Sequence, residues 1–170
     1  MAPTIVGLIS DTHLDSLTPQ LLDAIETHLS DAHVLLHAGD VTAPTLLDEL
    51  EARGYDLLAV RGNMDIHPEM AVRLPRTRIL EFAGVRLGLC HGWGAPQGIR
   101  SRVLDDLGGP DEVDVVVYGH THHPDDQVER GVRFINPGSP TDKRWAPHRS
   151  LARLVISSPQ SLDVDFIRLD

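Results

Sequence analysis

Five times along this chain a short apolar run stops at a polar motif built from glycine and metal-ligand side chains. Residues 5–9 lead into Asp11-Thr12-His13, residues 34–36 into Gly39-Asp40, residues 57–60 into Gly62-Asn63, residues 85–90 into His91-Gly92, and residues 113–118 into Gly119-His120-Thr121-His122. Runs this short, rich in Val, Ile and Leu, read as strands. If all five are strands, their carboxyl ends carry all the chemistry. That restricts the fold to one in which those ends meet at a single crevice, as the strand ends of open α/β sheets do.

The segments between the runs support this. Residues 19–29 place Leu21, Leu22, Ala24, Ile25 and Leu29 at helical spacing, behind Thr18 as N-cap and Pro19 at the first helical position. Residues 44–52, closed by Gly54, predict a second helix. Residues 77–82 and 85–90 flank Ala83-Gly84, a hairpin signal. A further helix is expected over residues 97–107. The near-continuous apolar run at 113–118 suits a strand buried on both faces. Short strands are expected at 127–130, 132–135, 151–156 and 163–168. The order βαβαβ, then hairpins, a helix and more strands, predicts an α/β chain of two packed mixed β-sheets flanked by helices, four layers in all. A length of 170 residues suits one domain, 1–170, with no cap domain.

Composition narrows the function classes. The formal net charge of -10 disfavours long nucleic acid as a partner. No apolar run approaches the roughly 20 residues needed to span a bilayer, and the N-terminus lacks the pattern of a signal peptide. Cys90 is the only cysteine, so no intrachain disulfide forms. A cytoplasmic protein without membrane association is expected.

The motifs offer seven oxygen and nitrogen ligands: Asp11, His13, Asp40, Asn63, His91, His120 and His122. Taken singly, each has an ordinary explanation. Asp-X-His triplets are common, and Gly-Asp and Gly-Asn pairs are usual turn residues. Their ordered conjunction, each directly after a strand, is what points to two divalent metal ions sharing one carboxylate, and so to phosphate ester hydrolysis. All the ligands are imidazole, carboxylate or amide, which admits manganese, iron, cobalt, nickel or zinc; manganese is the first choice, because the mixed set accepts octahedral geometry.

This motif series resembles that of the calcineurin-like metallophosphoesterases, in particular their small YfcE-like phosphodiesterase branch. The similarity runs from Ile5 to about Arg144, and Asn136-Pro137-Gly138-Ser139 resembles a segment that this branch carries after Gly-His-X-His. The resemblance implies a two-sheet sandwich. It also implies one metal held by Asp11, His13, Asp40 and His122, and a second by Asp40, Asn63, His91 and His120, with Asp40 bridging. A hydroxide between the metals would attack the phosphorus of a small phosphate diester in line; Asp40, Asn63 and His91 are the residues through which that catalysis acts. Homodimerisation through exposed hairpins is an expectation by analogy. The alternatives are a catalytically weak interaction scaffold on the same fold, as in the retromer's phosphoesterase-like subunit, and a phosphomonoesterase or nucleotidase.

The chain departs from the family pattern at two places. Met64 stands where many relatives carry a histidine that serves as the acid for the leaving oxygen, so no general acid is assigned; His67 and His123 are nearby in sequence. Trp93 stands where relatives often have a second histidine, and either lines the substrate pocket or packs on the core. Asp65 and His37 are expected to support the ligands, Arg61, Lys143 and Arg144 are candidate phosphate contacts, and Cys90 is expected to be a buried structural thiol.

Overall fold

The computed structural model describes residues 2–170. Strand β1 (Thr4–Ile9), helix α1 (Pro19–His28), β2 (Val34–His37), α2 (Pro44–Ala52) and β3 (Leu57–Ala59) form the expected βαβαβ stretch. Then come α3 (Pro68–Arg73), the hairpin β4 (Thr77–Phe82) and β5 (Val85–Cys90), α4 (Ile99–Asp106) and β6 (Val115–Val117). Two hairpins complete the chain, β7 (Asp125–Glu129) with β8 (Val132–Asn136), and β9 (Ser150–Ser158) with β10 (Ser161–Arg168). One sheet has the order β10-β9-β1-β2-β3 and the other β4-β5-β6-β8-β7.

The two-residue period of a strand sorts side chains between layers. On β2, Val34 and Leu36 enter the core between the sheets, where they join Leu87 and Leu89 of β5 and Val115 and Val117 of β6. Leu35 faces the other way, onto Leu21 and Ile25 of α1 and Leu46 and Leu50 of α2. On the second sheet Val116 and Phe134 turn outward onto Ile99, Val103 and Leu104 of α4. Three apolar layers thus join four layers of secondary structure, each fully buried Leu contributing about 1.5–3 kcal/mol.

Parallel pairing aligns the chemistry. Strands β1, β2 and β3 run parallel, as do β5, β6 and β8. Strand β6 is shorter than its apolar run, because Val113 and Tyr118 are buried beyond the paired residues. Hydrogen bonds from Asp114 N to Arg86 O and from Tyr118 N to Ile135 O still hold its flanks. Helix α4 starts at Ile99, later than predicted, because Gly98 turns the chain at φ 75°. Helix α3 was not expected. It is six residues long with only Met70 buried, too short for a periodic signal, and His67 caps it by accepting from Glu69 N. No helix among the described residues is long and apolar enough to cross a membrane.

Cys90 turns toward α4, among Ile99 and Val103, and is 2% exposed; burial pushes its thiol well above the usual range. The folded protein is therefore expected to resist a soluble disulfide reagent at mildly alkaline pH and to react fully once unfolded in guanidinium. Reaction of the folded protein at the rate of a free thiol would contradict this packing.

Candidate metal centre

The seven side chains singled out in the sequence meet at one end of the sandwich, and the backbone that carries them is unusual. Asp11, His13, Asp40, His120 and His122 have φ of 56°, 47°, 57°, 69° and 60°. For residues with a Cβ this left-handed region is sparsely populated, and each such residue costs on the order of 1–3 kcal/mol. Gly39 and Gly92 turn the chain beside them at φ 94° and 96°, and these five residues share that work. Two other glycines serve instead as space. A Cβ on Gly62 would lie 2.2 Å from Asp40 Oδ1, and one on Gly119 2.0 Å from Ser10 Oγ.

Cross-connections hold the loops in these conformations. Asp11 N donates to Gly39 O at 2.9 Å and His13 N to Asp40 O at 3.1 Å, tying the loop after β1 to the loop after β2. Gly119 N donates to His91 O at 3.0 Å, tying the loops after β6 and β5. Asp65 is buried and gathers three amides: Oδ2 accepts from Asp40 N at 3.0 Å and Gly62 N at 2.7 Å, and Oδ1 from Thr42 N at 2.6 Å. From the far end of the chain, Ser139 Oγ donates to Asp11 O and Thr141 Oγ1 to Thr12 O, at 2.8 and 2.6 Å. Asn136 Nδ2 donates to Gly119 O at 2.9 Å. The Asn136–Ser139 segment thus braces two ligand loops at once.

Asp11 and Asp40 are 0% and 2% exposed, and among the described residues no arginine or lysine pairs with either. Buried carboxylates need compensating charge. Here the groups near them that can carry positive charge are imidazoles, beside neutral donors: Ser10 Oγ and His120 N to Asp11 Oδ2. Asp11 Oδ1 lies 3.3 Å from His122 Nε2 and 3.9 Å from both His13 Nε2 and His91 Nε2, yet it has no hydrogen-bond partner. Asp40 Oδ2 lies between His13 Nε2 at 3.5 Å and His91 Nε2 at 3.3 Å. Asp40 Oδ1 accepts from Met64 N at 2.8 Å. Burial pushes both carboxyls up, but the imidazoles and hydrogen bonds outweigh it and hold both below their usual range.

The outer hydrogen bonds fix which nitrogen of each ring carries the proton. A carbonyl only accepts, so His91 Nδ1, facing Ala38 O at 2.8 Å, is a donor; so is His120 Nε2, facing Gly94 O at 2.9 Å, and His122 Nδ1, facing Asp142 O. In the neutral rings the lone pairs then sit on His91 Nε2, His120 Nδ1 and His122 Nε2. The first two face Asn63 Oδ1 at 2.9 and 3.1 Å, and the third faces His13 Nε2 at 3.2 Å. Lone pairs facing one another in this way suit a cation among them. Without a metal, that cation is a proton: burial disfavours it at His91 and His122, but the adjacent carboxylates win and raise both rings above the ordinary range. The donor set fits divalent metals. Ligand atoms of Asp11, His13 and His122 lie within 4.8 Å of one another, as do those of Asp11, Asp40 and His91.

The remaining candidates divide. His37 is completely buried; burial pushes it down to about 4, and as a neutral ring it accepts from Gly39 N at 3.2 Å and meets Thr12 Oγ1 at 2.9 Å. Lys143 and Arg144 pair with Asp170 and Asp142 at the surface. Arg61 and Trp93 border a cavity that also includes Asn63 and His91. Sequence reasoning passed over Ser10, Thr141 and Arg76, whose positions depend on contacts between distant segments.

A family profile described as "Calcineurin-like phosphoesterase superfamily domain" matches residues 5–158. The chain is 36% identical to a probable metallophosphoesterase of Methanothermobacter thermautotrophicus, over 96% of this chain and 92% of that protein. It is 29% identical to the phosphodiesterase MJ0936 of Methanocaldococcus jannaschii, over 78% of this chain and 82% of that protein. Among solved structures, a predicted phosphoesterase of Streptococcus pneumoniae superposes with a TM-score of 0.77 at 26% identity, covering 100% of this chain and 92% of that one. Vacuolar protein sorting 29 of Cryptosporidium parvum superposes with a TM-score of 0.71 at 19% identity, over 98% of both chains, a likeness of fold alone.

Asp65 touches none of the metal-facing atoms, so its part is to hold two ligand loops. Asp65→Asn would turn an amide N–H toward one of the three amides that Asp65 now accepts. We expect it to cost about 1.5–3 kcal/mol in urea unfolding and to weaken metal binding about 10–100-fold by calorimetry. Wild-type stability and metal affinity in this variant would remove Asp65 from the site's support.

Proposed function

This chain belongs to the calcineurin-like phosphoesterase superfamily, and on that premise we propose that it is a metal-dependent phosphodiesterase acting on small phosphate diesters. The observation that carries the reading is the convergence of unshared lone pairs around Asp11 Oδ1 and Asn63 Oδ1, with Asp40 Oδ2 between His13 and His91. Asp11, His13, Asp40 and His122 would hold one ion and Asp40, Asn63, His91 and His120 the other, manganese being the first choice over iron, cobalt, nickel or zinc. When bound, two such ions supply Lewis-acid charge and a water ionised near neutral pH for in-line attack at phosphorus.

The protein's own contribution is position. Asp11 and Asp40 stay ionised, the outer carbonyls keep each histidine in one tautomer, and the strained loops fix the spacing. A proton for the leaving oxygen has no evident source. Met64 has no proton to give, and it is its backbone N–H that engages Asp40. His67 is occupied as the cap of α3, and His123 Nδ1 faces Pro124 O. Diesters with good leaving groups fit this arrangement. A relative named a phosphodiesterase supports the choice of diester over monoester. The scaffold reading has less support here, because the chain keeps all seven candidate ligands, five of them on strained backbone, and resembles a relative named a phosphodiesterase. A cytoplasmic setting, a small soluble substrate and a homodimer belong to the same proposal.

The test is a metal-reconstituted screen of bis-aryl phosphate, aryl monophosphate, cyclic nucleotides and dinucleotides. Diester turnover with manganese is expected, falling to background in Asp40→Ala. Across a series of aryl diesters, log kcat/KM should fall steeply as the leaving-group pKa rises. Turnover preserved in Asp40→Ala sinks the metal reading, and a flat dependence shows that another group supplies the proton.

A further inference from the structure

A cavity of about 400 Å³ shares Asn63 and His91 with the metal centre and is otherwise bordered by Arg61, Arg76, Trp93 and Asp106, among others. Its size is that of a small-ligand site. Arg61 is half-buried and Arg76 exposed, and the hydrogen bond from Arg61 N to Pro75 O at 2.8 Å holds the two stretches of chain together.

Among the described residues the two arginines lack partners, as surface Arg53 and Arg130 also do, but only these two border this cavity together. The chain carries 25 acidic residues against 15 basic ones, and its other arginines mostly find them. Arg73 meets Asp48 and Glu51, Arg86 meets Asp114, Arg100 meets Asp125 and Glu129, Arg133 meets Asp126, and Arg153 meets Asp31. Among the described residues, neither Arg61 nor Arg76 has a carboxylate or carbonyl on its guanidinium. The one acid bordering the cavity, Asp106, accepts from Trp93 Nε1 at 2.9 Å through Oδ2. That bond and Arg102, 5.2 Å from the ring centre on one face, hold the Trp93 ring in place, while the ring stays 48% exposed. Two free guanidinium forks suit a phosphoryl group, and a fixed indole suits stacking on a base.

We propose that this cavity binds a second phosphoryl group of the substrate, which makes the preferred substrate a nucleotide-class phosphodiester bearing an additional phosphate. The inference rests on the diesterase reading for the reaction, but binding in the cavity stands on the arginines alone. Two measurements keep the two apart. The first is calorimetric binding of adenosine 5′-monophosphate and of adenosine to the metal-free protein. The second is kcat/KM for the p-nitrophenyl ester of thymidine 5′-phosphate with and without a 3′-phosphate, using the manganese-loaded protein. The monophosphate should bind at least about tenfold more tightly than the nucleoside, and the 3′-phosphorylated ester should be preferred by a similar factor. Both preferences should shrink toward one in Arg61→Ala/Arg76→Ala and return in part in Arg61→Lys/Arg76→Lys. Equal binding of monophosphate and nucleoside by the wild-type protein overturns the proposal, as does a preference that survives in the double alanine variant. Selective binding without turnover of either ester leaves the cavity standing and refutes the diesterase reading instead.

Discussion

Two carboxylates buried without a basic partner are the constraint on which the rest of this structure depends. Asp11 and Asp40 sit where an unpaired negative charge is costly, and besides neutral donors the groups brought to them are imidazoles, two of which, His91 and His122, point their protons outward to backbone carbonyls. An apolar core alone gives no reason for such an arrangement. It becomes sensible when divalent cations complete it, because then the carboxylates, the amide oxygen and the ring nitrogens face positive charge.

The expense extends into the backbone. Five of the ligand residues are held in the left-handed region, and that strain persists only because the surroundings over-determine it. Asp65 fixes the loops after β2 and β3 from within, while Ser139 and Thr141 clamp the loop after β1 from the far end of the sequence. The four-layer sandwich is the platform that makes this affordable, since its three apolar layers anchor every strand whose end reaches the site.

Much of this was legible in the sequence, and the physical reason is the regularity of the fold. Short apolar runs give strands, and the segments with helical spacing gave α1 and α2 near their observed bounds. The candidate ligands could be picked out as a group because each motif follows a strand, and the structure brings those strand ends together. Helix α3 was not, being too short to show periodicity. The two packed sheets were legible too, but not which strands make up each, since β9 and β10 return to pair beside β1. The support shell was the least visible part. Ser139 matters through Asp11 O, and Arg76 through its place beside Arg61, and neither relation leaves a local pattern. The strained φ values were equally hidden, since Asp and His look the same in a sequence whichever side of φ zero they occupy.

The central claim is that these seven side chains form one site for two ions with Asp40 shared between them. Calorimetric titration of the metal-free protein with manganese tests it most directly. The account predicts two ions bound per chain, and no more than one in Asp40→Ala, because the shared carboxylate serves both positions. Failure of the wild-type protein to bind manganese, or an unchanged stoichiometry in Asp40→Ala, would contradict it.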